Sequence, residues 1–384
     1  MKEKVNTLKK VVIIGSGIVG ATAAYQLGRR GFDVTVIDRN EPGRATDAAA
    51  GIIAPWLAQR RNKPWYRLVR HSAAYYPQLI EELKEDGEED TGYKRVGVLR
   101  LHDQEKRMNK MIDRTTERRK EAPEIGDIIP LTVEETQEKI PVLTDEFFSL
   151  YVSGGARVSG RHLRQALIQG AKKHGVTFID GSASLRLVNE SEAEVLVDGK
   201  VIESDAIINA AGAWARPLFC DIGIDFLASG QKAQLLHLQI DEETKDWPVV
   251  MPPSRHYMVA FDGGRIVVGA TYEEHKNFEK TVTVEGTHEV LTNTLRFSPG
   301  LHQAHIVEPR VGFRPKTPHS MPVFGQVKEV PNVYAANGLG ASGLTAGPFV
   351  GLQLAKLIAG ETPDVDPDDY ALSLVYNNDE EETE

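Results

Sequence analysis

The sequence predicts an α/β fold: a parallel sheet with helices, into which an α+β domain built on an antiparallel sheet is inserted. Residues 11–14 are wholly apolar, as in a parallel strand buried on both faces, and closely spaced glycines follow them. A second predicted strand, residues 34–37, comes after a helical stretch. Residues 228–320 contain alternating and apolar runs joined by short turns, which indicates antiparallel strands.

The glycines after the first strand have the spacing G-x-G-x-x-G, formed by Gly15, Gly17 and Gly20. In a strand–turn–helix context the first glycine allows a tight turn, the second lets the backbone approach a pyrophosphate, and the third lets the helix pack closely. The helix N-terminus favours the negative charge of that pyrophosphate. Asp38 ends the second strand, about 20 residues further on, where a ribose-binding acid is expected. The segment therefore predicts a Rossmann-like, dinucleotide-binding domain.

Composition excludes several classes of protein. The 384 residues carry a net charge of −10, with 26% charged and 41% hydrophobic residues, which is typical of soluble proteins and argues against a nucleic-acid partner. The single cysteine, Cys220, excludes an intramolecular disulfide. His302 and His305 lack a third ligand at metal spacing, so no metal site is expected. No apolar run reaches the roughly 18 residues of a membrane span, and a cytoplasmic location is predicted.

The elements between the motifs follow from periodicity. Residues 43–55 are mostly small, which suits a segment against a large planar ligand and equally suits the start of an Ala-rich helix. Helices are predicted at 65–85, 103–120 and 161–174, and a short one within 130–143 with a Thr132-x-x-Glu135 capping pattern. Strands are predicted at 96–102, 176–179, 185–188, 193–197, 201–202, 233–240, 256–261 and 265–270. Residues 205–214 are predicted to be a buried strand that ends in a turn of small residues.

The C-terminal part repeats the strand–loop–helix pattern. A strand from Val333 leads into a glycine-rich loop at 338–347, and the sequence predicts a helix that Pro348 opens and Gly360 closes. The acidic stretch after Asp364 is expected to be mobile and solvated.

Four separated segments together resemble the D-amino-acid oxidase superfamily of flavoproteins, especially glycine oxidases and D-amino-acid dehydrogenases. They are Ala48-Ala-Ala-Gly51, Asn209-Ala-Ala-Gly-Ala-Trp214, Val267-Val-Gly-Ala-Thr271 and Phe313-Arg-Pro-Lys-Thr-Pro318. The resemblance implies non-covalent FAD and a discontinuous FAD-binding domain at 1–80, 145–227 and 310–372. It implies a substrate domain at 81–144 and 228–309, followed by an acidic tail at 373–384.

The resemblance also implies which residues hold FAD. Ile18 and Val19 would face the pyrophosphate, Asp38 and Arg39 the adenosine ribose, and Ser184 the adenine, while the turn with Gly212 would approach another part of the cofactor. The ribityl chain and flavin would be lined by Ala45, Thr46, Ala50, Gly51 and Ile52. The pyrimidine side of the flavin would be wrapped by Leu339, Gly340, Ala341, Ser342, Gly343, Leu344 and Thr345. Helix 348–358 would begin near the flavin C2 carbonyl.

On the substrate side, Arg314 lies in a Pro-rich segment of low charge, where a guanidinium needs a specific partner. Its planar fork suits a carboxylate, and the family places its carboxylate-binding arginine in this motif; the alternative is a structural arginine that caps backbone carbonyls. Period-two spacing puts Arg255 and Tyr257 on one strand face, and Tyr257 falls where glycine oxidases hold a pocket tyrosine. Tyr272 follows the partner strand. For Arg255 and Tyr272 a surface role is an equal alternative.

Two departures from relatives narrow the expected activity. Glycine oxidases have Gly-His and a second arginine in the C-terminal loop, whereas Gly338-Leu339 and Ala341 stand here, which weakens glycine as the substrate. Sarcosine oxidases use a lysine where Val267 stands and a C-terminal cysteine that this chain lacks.

The resemblance implies an oxidoreductase that oxidises the C–N bond of a small amino acid or secondary amine by hydride transfer to flavin N5, followed by imine hydrolysis. Oxygen or a quinone-linked carrier would then accept the electrons. The alternatives are a 2-hydroxy-acid oxidoreductase of the same superfamily, a nicotinamide-dependent dehydrogenase, which the C-terminal segments disfavour, and a non-catalytic flavin-binding protein. The substrate, the electron acceptor and the oligomeric state do not follow from the sequence.

Overall fold

Strand Lys10–Ile14 lies inside a six-stranded sheet in the computed structural model, which describes residues 9–274 and 277–377. Its neighbours on both sides run parallel to it, and the edge strand Val323–Gln326 is antiparallel. The central strands are apolar and buried, as the sequence predicts. The order across the sheet is Val323–Gln326, Val333–Asn337, Ala206–Asn209, Lys10–Ile14, Asp33–Asp38 and Thr177–Asp180.

A nine-stranded sheet forms the second layer of the molecule and is antiparallel except for one pair, in which Val249–Met251 runs parallel to Val98–His102. Strand Phe148–Val152 belongs to this sheet, although the predicted boundary at 145 assigns it to the other domain. Strand His305–Lys316 likewise crosses the predicted boundary at 310. The remaining strands are Ile128–Leu131, Ser229–Gln239, Tyr257–Ala260, Arg265–Gly269 and Glu273–Glu274. The domain division as a whole stays a prediction.

Two small sheets complete the strands. Ala183–Asn189, Glu192–Val197 and Lys200–Ile202 form an antiparallel meander whose turn is the predicted Asp198-Gly199, both at positive φ. The other small sheet contains Ile52–Ile53, Lys94–Arg95 and Ala156–Arg157.

The helices agree with the predicted ones to within a few residues, and Ser159 and Thr132 cap the helices that follow them. Helix Val284–Phe297 was not predicted, because it lies within residues 228–320, for which the sequence indicates antiparallel strands. It begins after the N-cap Thr283. The α-helices are Ile18–Arg29, Ala45–Ala48, Lys63–Glu85, Glu105–Arg119, Val133–Lys139, Gly160–Lys173, Ala215–Cys220, Val284–Phe297 and Gly343–Ala359.

The prediction that Pro348 opens the last helix is wrong, because the helix begins at Gly343 and contains Pro348. Proline has no N–H to donate to the carbonyl four residues earlier, which is that of Leu344. The hydroxyl of Tyr76 donates to this carbonyl instead, so the proline is accommodated inside the helix. The predicted end at Gly360 is correct, with that residue in the left-handed conformation.

The expectation of a mobile segment directly after Asp364 is also wrong for the residues that the structure describes. Pro367–Tyr370 and Leu372–Val375 form 3-10 turns that are packed against the fold. Tyr370 is fully buried, stacks on Phe324, and donates to the Pro64 carbonyl at 2.8 Å. Residues 378–384 of the predicted tail and the polar residues 1–8 lie outside the described residues.

Two absences apply to residues 9–274 and 277–377. No helix there is long and apolar enough to cross a membrane. No group of three or more histidine, cysteine, aspartate or glutamate side chains there could hold a metal ion.

Candidate functional site

A cavity of about 730 Å³ is lined by residues of both large sheets. It begins where the parallel strands Lys10–Ile14, Asp33–Asp38 and Ala206–Asn209 end, and it extends to the inner face of the nine-stranded sheet. Ligands of open parallel sheets bind at this carboxyl end of the strands. Every residue that the sequence analysis assigned to cofactor or substrate lines this cavity except Gly20. Which part of a ligand each one contacts remains a prediction.

The three glycines of the first turn have different surroundings. A Cβ at Gly15 would lie 2.6 Å from the Ala210 carbonyl oxygen, and one at Gly20 would lie 1.9 Å from the Gly15 oxygen. A Cβ at Gly17 would meet nothing closer than Thr46 Oγ1, at 3.6 Å, and Gly17 lines the cavity. Gly15 and Gly20 are therefore required by packing within the chain, whereas Gly17 leaves space beside the helix N-terminus for a ligand.

The Asp38 carboxylate accepts four hydrogen bonds from the chain itself. Oδ2 accepts from the Ser16 N–H at 2.6 Å and the Ser16 hydroxyl at 2.7 Å, while Oδ1 accepts from the Asn40 N–H at 2.6 Å and Arg44 Nη2 at 2.8 Å. Burial opposes ionisation, but these donors outweigh it and keep the pKa of Asp38 below its ordinary value. Asp38 is thus an ionised group that also anchors the glycine turn.

Arg164 supports the same turn from helix Gly160–Lys173. Its Nε donates to the Ser16 carbonyl and its Nη2 to the Ser16 hydroxyl, both at 2.6 Å. Burial lowers the pKa of this guanidinium from its ordinary value. A chain of contacts therefore runs from Arg164 through Ser16 and Asp38 to Arg44, and it orients the turn before any ligand binds.

The small-residue segment after the second strand both starts a helix and lines the cavity, so the two interpretations of its sequence are each correct for a part of it. Ala45–Ala48 is a single helical turn, and the chain then extends into Ile52–Ile53 along the cavity. Thr46 Oγ1 accepts the Ile18 N–H at 3.0 Å and so ties this segment to the start of the first helix. Gly51 has φ +84° and a Cβ there would lie 1.7 Å from the Val158 oxygen, so only glycine fits.

The C-terminal loop forms another wall of the cavity. Gly340–Ser342 is a 3-10 turn that leads directly into the helix beginning at Gly343. The first helical turn, rather than a loop ending at Pro348, therefore contributes Gly343 and Thr345 to the wall, together with the positive end of the helix dipole. Thr345 Oγ1 donates to the Ile52 carbonyl at 3.0 Å and joins this wall to the previous segment.

On the side of the nine-stranded sheet, one row of residues crosses five strands and faces the cavity. Pairing aligns Leu235 with Gly269, Gly269 with Tyr257, and Met251 with Arg100, while Val250 opposite Met258 brings Met251 beside Tyr257. The side chains of Leu235, Tyr257, Met251 and Arg100 all line the cavity. Gly269 provides room for the tyrosine, because a Cβ there would lie 2.8 Å from the Tyr257 hydroxyl oxygen.

Arg314 lies beside this row on strand His305–Lys316. Its Nη1 donates to the Thr271 carbonyl at 3.1 Å and to Gln231 Oε1 at 3.4 Å, and its guanidinium lies 4.3 Å from the ring centre of Tyr272. It forms no ion pair with a carboxylate of the described residues. Nη1 therefore caps a backbone carbonyl, as the alternative interpretation of Arg314 expects. The other two nitrogens, Nε and Nη2, have no hydrogen-bond partner in residues 9–274 and 277–377.

The remaining predicted substrate residues lie at the same end. Arg255 precedes the strand, which begins at Tyr257, so the prediction that both share a strand face is wrong. Arg255 is exposed and its guanidinium lies 5.5 Å from the ring centre of Tyr272, so Tyr272 contacts both arginines. Burial raises the pKa of Tyr257, although Arg314 opposes this, and the phenol stays protonated at neutral pH.

Charge divides the cavity into two regions. The lining acids, Asp38, Glu41 and Asp221, all belong to the part next to the six-stranded sheet. Arg100, Arg255 and Arg314 line the part next to the nine-stranded sheet, where no lining residue is acidic. The second region therefore suits an anionic ligand.

Several lining residues were missed by sequence reasoning. Arg44, His256 and Arg100 lie in the cavity, and neither ring nitrogen of His256 has a hydrogen-bond partner among the described residues. Arg44 lies six residues after Asp38 in the sequence. A basic residue so close to a predicted ribose-binding acid was a signal that could have identified it. Arg100 lies between apolar residues in its strand. Any half-exposed strand has this pattern, so the sequence gives no signal that Arg100 lines a cavity.

The chain belongs to the DAO family of FAD dependent oxidoreductases, whose family model matches residues 10–357. The predicted family, enzyme class and cofactor are therefore confirmed, and the protein is an FAD-dependent oxidoreductase.

Individual relatives are similar over nearly their whole length. The "Uncharacterized oxidoreductase YurR" of Bacillus subtilis (strain 168) is 51% identical over 365 residues, which cover 94% of this chain and 98% of that protein. The crystal structure of iminodiacetate oxidase (IdaA) from Chelativorans sp. BNC1 superposes with a TM-score of 0.92 at 43% identity, covering 94% of this chain and 98% of that one. Glycine oxidase from Geobacillus kaustophilus gives a TM-score of 0.85 at 25% identity, covering 95% and 98%.

The residues of the cavity fit FAD. Open space beside Gly17, Gly212 and Gly343 would accept a ligand, since a Cβ at the last two would meet nothing within 4 Å. The helices that begin at Ile18 and Gly343 both start at this cavity, so the positive ends of two helix dipoles favour negative charge there. The donor set therefore suits a long, anionic ligand that runs along the ends of the parallel strands.

Proposed function

We propose that this enzyme oxidises the C–N bond of a small amine that carries a carboxylate, either an amino acid or a secondary amine. The observation on which the proposal rests is Arg314, a half-buried guanidinium that lines the cavity without a carboxylate partner among the described residues. A planar fork of N–H donors matches a carboxylate in a bidentate arrangement. The iminodiacetate oxidase and glycine oxidases to which the chain is similar are named for substrates of this kind.

FAD, when bound, supplies the acceptor for the hydride that leaves the carbon next to nitrogen. The chain's own residues bind and orient the amine. Arg314 would hold the carboxylate through Nε and Nη2, while the contact of Nη1 with the Thr271 carbonyl fixes the plane of the guanidinium. Tyr272 packs against the same group. The protonated Tyr257 hydroxyl can donate a second hydrogen bond to the carboxylate, because Tyr257 and Arg314 line the same part of the cavity.

The apolar part of the row excludes water from the reacting atoms. Leu235, Met251 and the ring of Tyr257 cover the inner face of the sheet beside Arg314. Exclusion of water strengthens the interaction of a guanidinium with a carboxylate and protects a reactive product from premature hydrolysis. No side chain is assigned as a general base, since an amine that binds in its neutral form needs none.

The test compares flavin reduction without oxygen in the parent and in Arg314→Ala. N-methylglycine is compared with dimethylamine, which lacks the carboxylate. A charge-assisted hydrogen bond contributes about 1.5–3 kcal/mol, so Arg314→Ala is expected to lower the rate with N-methylglycine about tenfold to a few hundredfold. The rate with dimethylamine should change little, and Arg314→Lys should recover part of the loss.

Arg107, an exposed arginine on helix Glu105–Arg119, offers the matched control. Arg107→Ala removes the same charge and should leave both rates unchanged. An unchanged preference for the carboxylate in Arg314→Ala would mean that another group binds it, and failure of every carboxylate-bearing amine to bleach the flavin would contradict the proposed function. Repeating the assay with oxygen and with a quinone identifies the electron acceptor.

A further inference from the structure

A second arginine, Arg100, lines the cavity on the inner face of the nine-stranded sheet. Its side chain forms no hydrogen bond or ion pair with any described residue, and its Nε is buried without a partner. Burial lowers the pKa of this guanidinium, and no carboxylate offsets that effect. A guanidinium stays charged in proteins, so Arg100 is a cation enclosed in the fold without a counter-ion from the part of the chain that the structure describes.

An unpaired charge away from water is costly, and proteins retain one where a ligand pairs with it. Other buried arginines of this chain are paired by the chain itself. Arg157, for example, lies 2.5 Å from the Asp262 carboxylate, and Arg118 donates to the carbonyls of Trp56 and Ala58. Arg100 differs from them in both its lack of partners and its place in the cavity.

The sheet determines how far Arg100 lies from Tyr257. The Arg314 head group lies near the same end, because it contacts Thr271 and Tyr272, which follow Gly269, the partner of Tyr257 in the sheet. Tyr257, Met251 and Arg100 are neighbours on three successive strands. Adjacent strands are about 4.8 Å apart, so the Cα atoms of Tyr257 and Arg100 are separated by roughly 10 Å. Long side chains from both ends can approach each other over Met251. A small molecule with an anionic group at each end would fit between them.

We propose that Arg100 binds a second carboxylate of the substrate, so that the enzyme acts on secondary amines bearing two carboxylates, one on each side of the nitrogen. The inference rests on the proposed function, because Arg314 holds the first carboxylate. The amine nitrogen and its neighbouring carbon then lie between the two arginines, above Met251 and beside Tyr257. Two fixed ends leave one orientation for the bond to be oxidised.

The cofactor's phosphates are a poorer partner for Arg100. The helix N-terminus at Ile18 and the open space beside Gly17 lie at the six-stranded sheet. Arg100 lies in the other sheet, in the region where lining acids are absent and Arg314 and Arg255 are also found. The ligand for Arg100 is therefore assigned to the substrate.

Binding is tested first with unreactive ether analogues, in which oxygen replaces the amine nitrogen. Oxydiacetate has two carboxylates and methoxyacetate has one. Each is titrated into the FAD-loaded parent, Arg100→Gln, Arg100→Lys and the surface control Arg107→Gln, and binding is followed by flavin absorbance and by the thermal midpoint. The parent and Arg107→Gln should bind oxydiacetate at least tenfold more tightly than methoxyacetate. Arg100→Gln should bind the two about equally, and Arg100→Lys should lie between.

Turnover is then compared with iminodiacetate and N-methylglycine. Arg100→Gln is expected to raise KM for iminodiacetate about tenfold to a few hundredfold and to change KM for N-methylglycine less than threefold. FAD content and the flavin spectrum without ligand should equal those of the parent, which separates a substrate contact from a cofactor contact.

The outcomes separate this inference from the proposed function. If Arg100→Gln loses FAD, or weakens one-carboxylate and two-carboxylate ligands equally, the inference is overturned while the proposed function stands. If the parent binds oxydiacetate no better than methoxyacetate, the inference is likewise overturned. If none of the carboxylate-bearing amines reduces the flavin but oxydiacetate still binds through Arg100, the proposed function and the assignment to amines are overturned, whereas the role of Arg100 in binding a dicarboxylate is supported.

Discussion

Arg44 and Asp38 form an ion pair, with Arg44 Nη2 2.8 Å from Asp38 Oδ1, at the end of the second parallel strand. The same carboxylate accepts hydrogen bonds from Ser16 and Asn40, so the acid predicted to bind ribose also joins the glycine turn to the segment after Asp38. Both side chains are only 14% exposed, which makes the pair less screened by solvent than a surface ion pair.

Asp38→Ala is expected to weaken FAD binding and also to destabilise the protein without FAD. The substitution removes the acceptor of Arg44 Nη2 and of the Ser16 donors, while Arg44 Nη1 keeps Asp47. A hydrogen bond to a charged group contributes about 1.5–3 kcal/mol. The FAD dissociation constant and the urea midpoint of the FAD-free protein measure the two effects. Asp180 lies opposite Asp38 on the neighbouring parallel strand but does not line the cavity, so Asp180→Ala is the control. Parent-like FAD affinity in Asp38→Ala would contradict the assignment.

Gly17→Ala and Gly20→Ala should fail in different ways. A Cβ at Gly20 would collide with the Gly15 oxygen at 1.9 Å, so this variant should unfold at lower temperature with or without FAD. A Cβ at Gly17 has room in the chain but projects beside the cavity. Gly17→Ala should therefore keep the stability of the FAD-free protein and bind FAD at least tenfold more weakly. Equal loss of FAD-free stability in both variants would show that Gly17 serves packing.

Gly269→Ala should impair the reaction through Tyr257. The added Cβ would lie 2.8 Å from the Tyr257 hydroxyl oxygen and displace the ring. Loss of one hydrogen bond to a charged carboxylate predicts about a tenfold lower kcat/KM, with FAD content unchanged. Tyr257→Phe should cause a similar loss, and the double variant little more, because both changes remove one interaction. Additive losses in the double variant would exclude this explanation.

FAD should be held without a covalent bond. The single cysteine, Cys220, is exposed at the end of helix Ala215–Cys220 and does not line the cavity. Acid precipitation is therefore expected to release all yellow colour into the supernatant, and Cys220→Ser should contain as much flavin as the parent. Colour that stays with the pelleted protein would show a covalent link to another residue.

Stability should fall as pH decreases from about 6.5 to 4 because of His102 and His237. Burial, together with Arg100 for His102 and Arg310 for His237, lowers the pKa of each to about 4. Between this value and the ordinary value of 6.5 the unfolded chain binds more protons than the folded one, so acid favours unfolding. The expected loss is on the order of 2 kcal/mol for each histidine.

Urea unfolding at several pH values measures this loss. His102→Gln with His237→Gln should flatten the dependence between pH 6.5 and 4, whereas His302→Gln, at an exposed position, should not. The hydrogen bond from Arg310 lowers the pKa of Glu308 to about 2, so the contribution of that carboxylate is lost at lower pH, below about 4.5. An unchanged slope in the double variant would contradict the histidine assignment.

Local sequence determined the elements and one half of the cavity. The glycine spacing, the acid at the end of Asp33–Asp38 and the small residues after it depend on contacts within about 40 residues of each other. Close approach within the turn dictates such a residue type directly at Gly20, where a Cβ would meet the Gly15 oxygen. The family resemblance added the positions of Arg314 and Tyr257, which periodicity alone does not distinguish from other surface residues.

Only the tertiary structure decided the rest, since it depends on residues far apart in the chain. Pro348 lies inside a helix because Tyr76, 268 residues before Leu344, supplies the donor that proline lacks. The glycine turn is held in place because Arg164, 148 residues after Ser16, donates to the carbonyl and the hydroxyl of Ser16. Arg100 faces the cavity because its strand pairs with Val249–Met251, which in turn pairs with the strand of Tyr257. Strand pairing brings residues side by side irrespective of their distance in sequence. The pattern of apolar and polar residues in one strand does not specify which strand pairs with it.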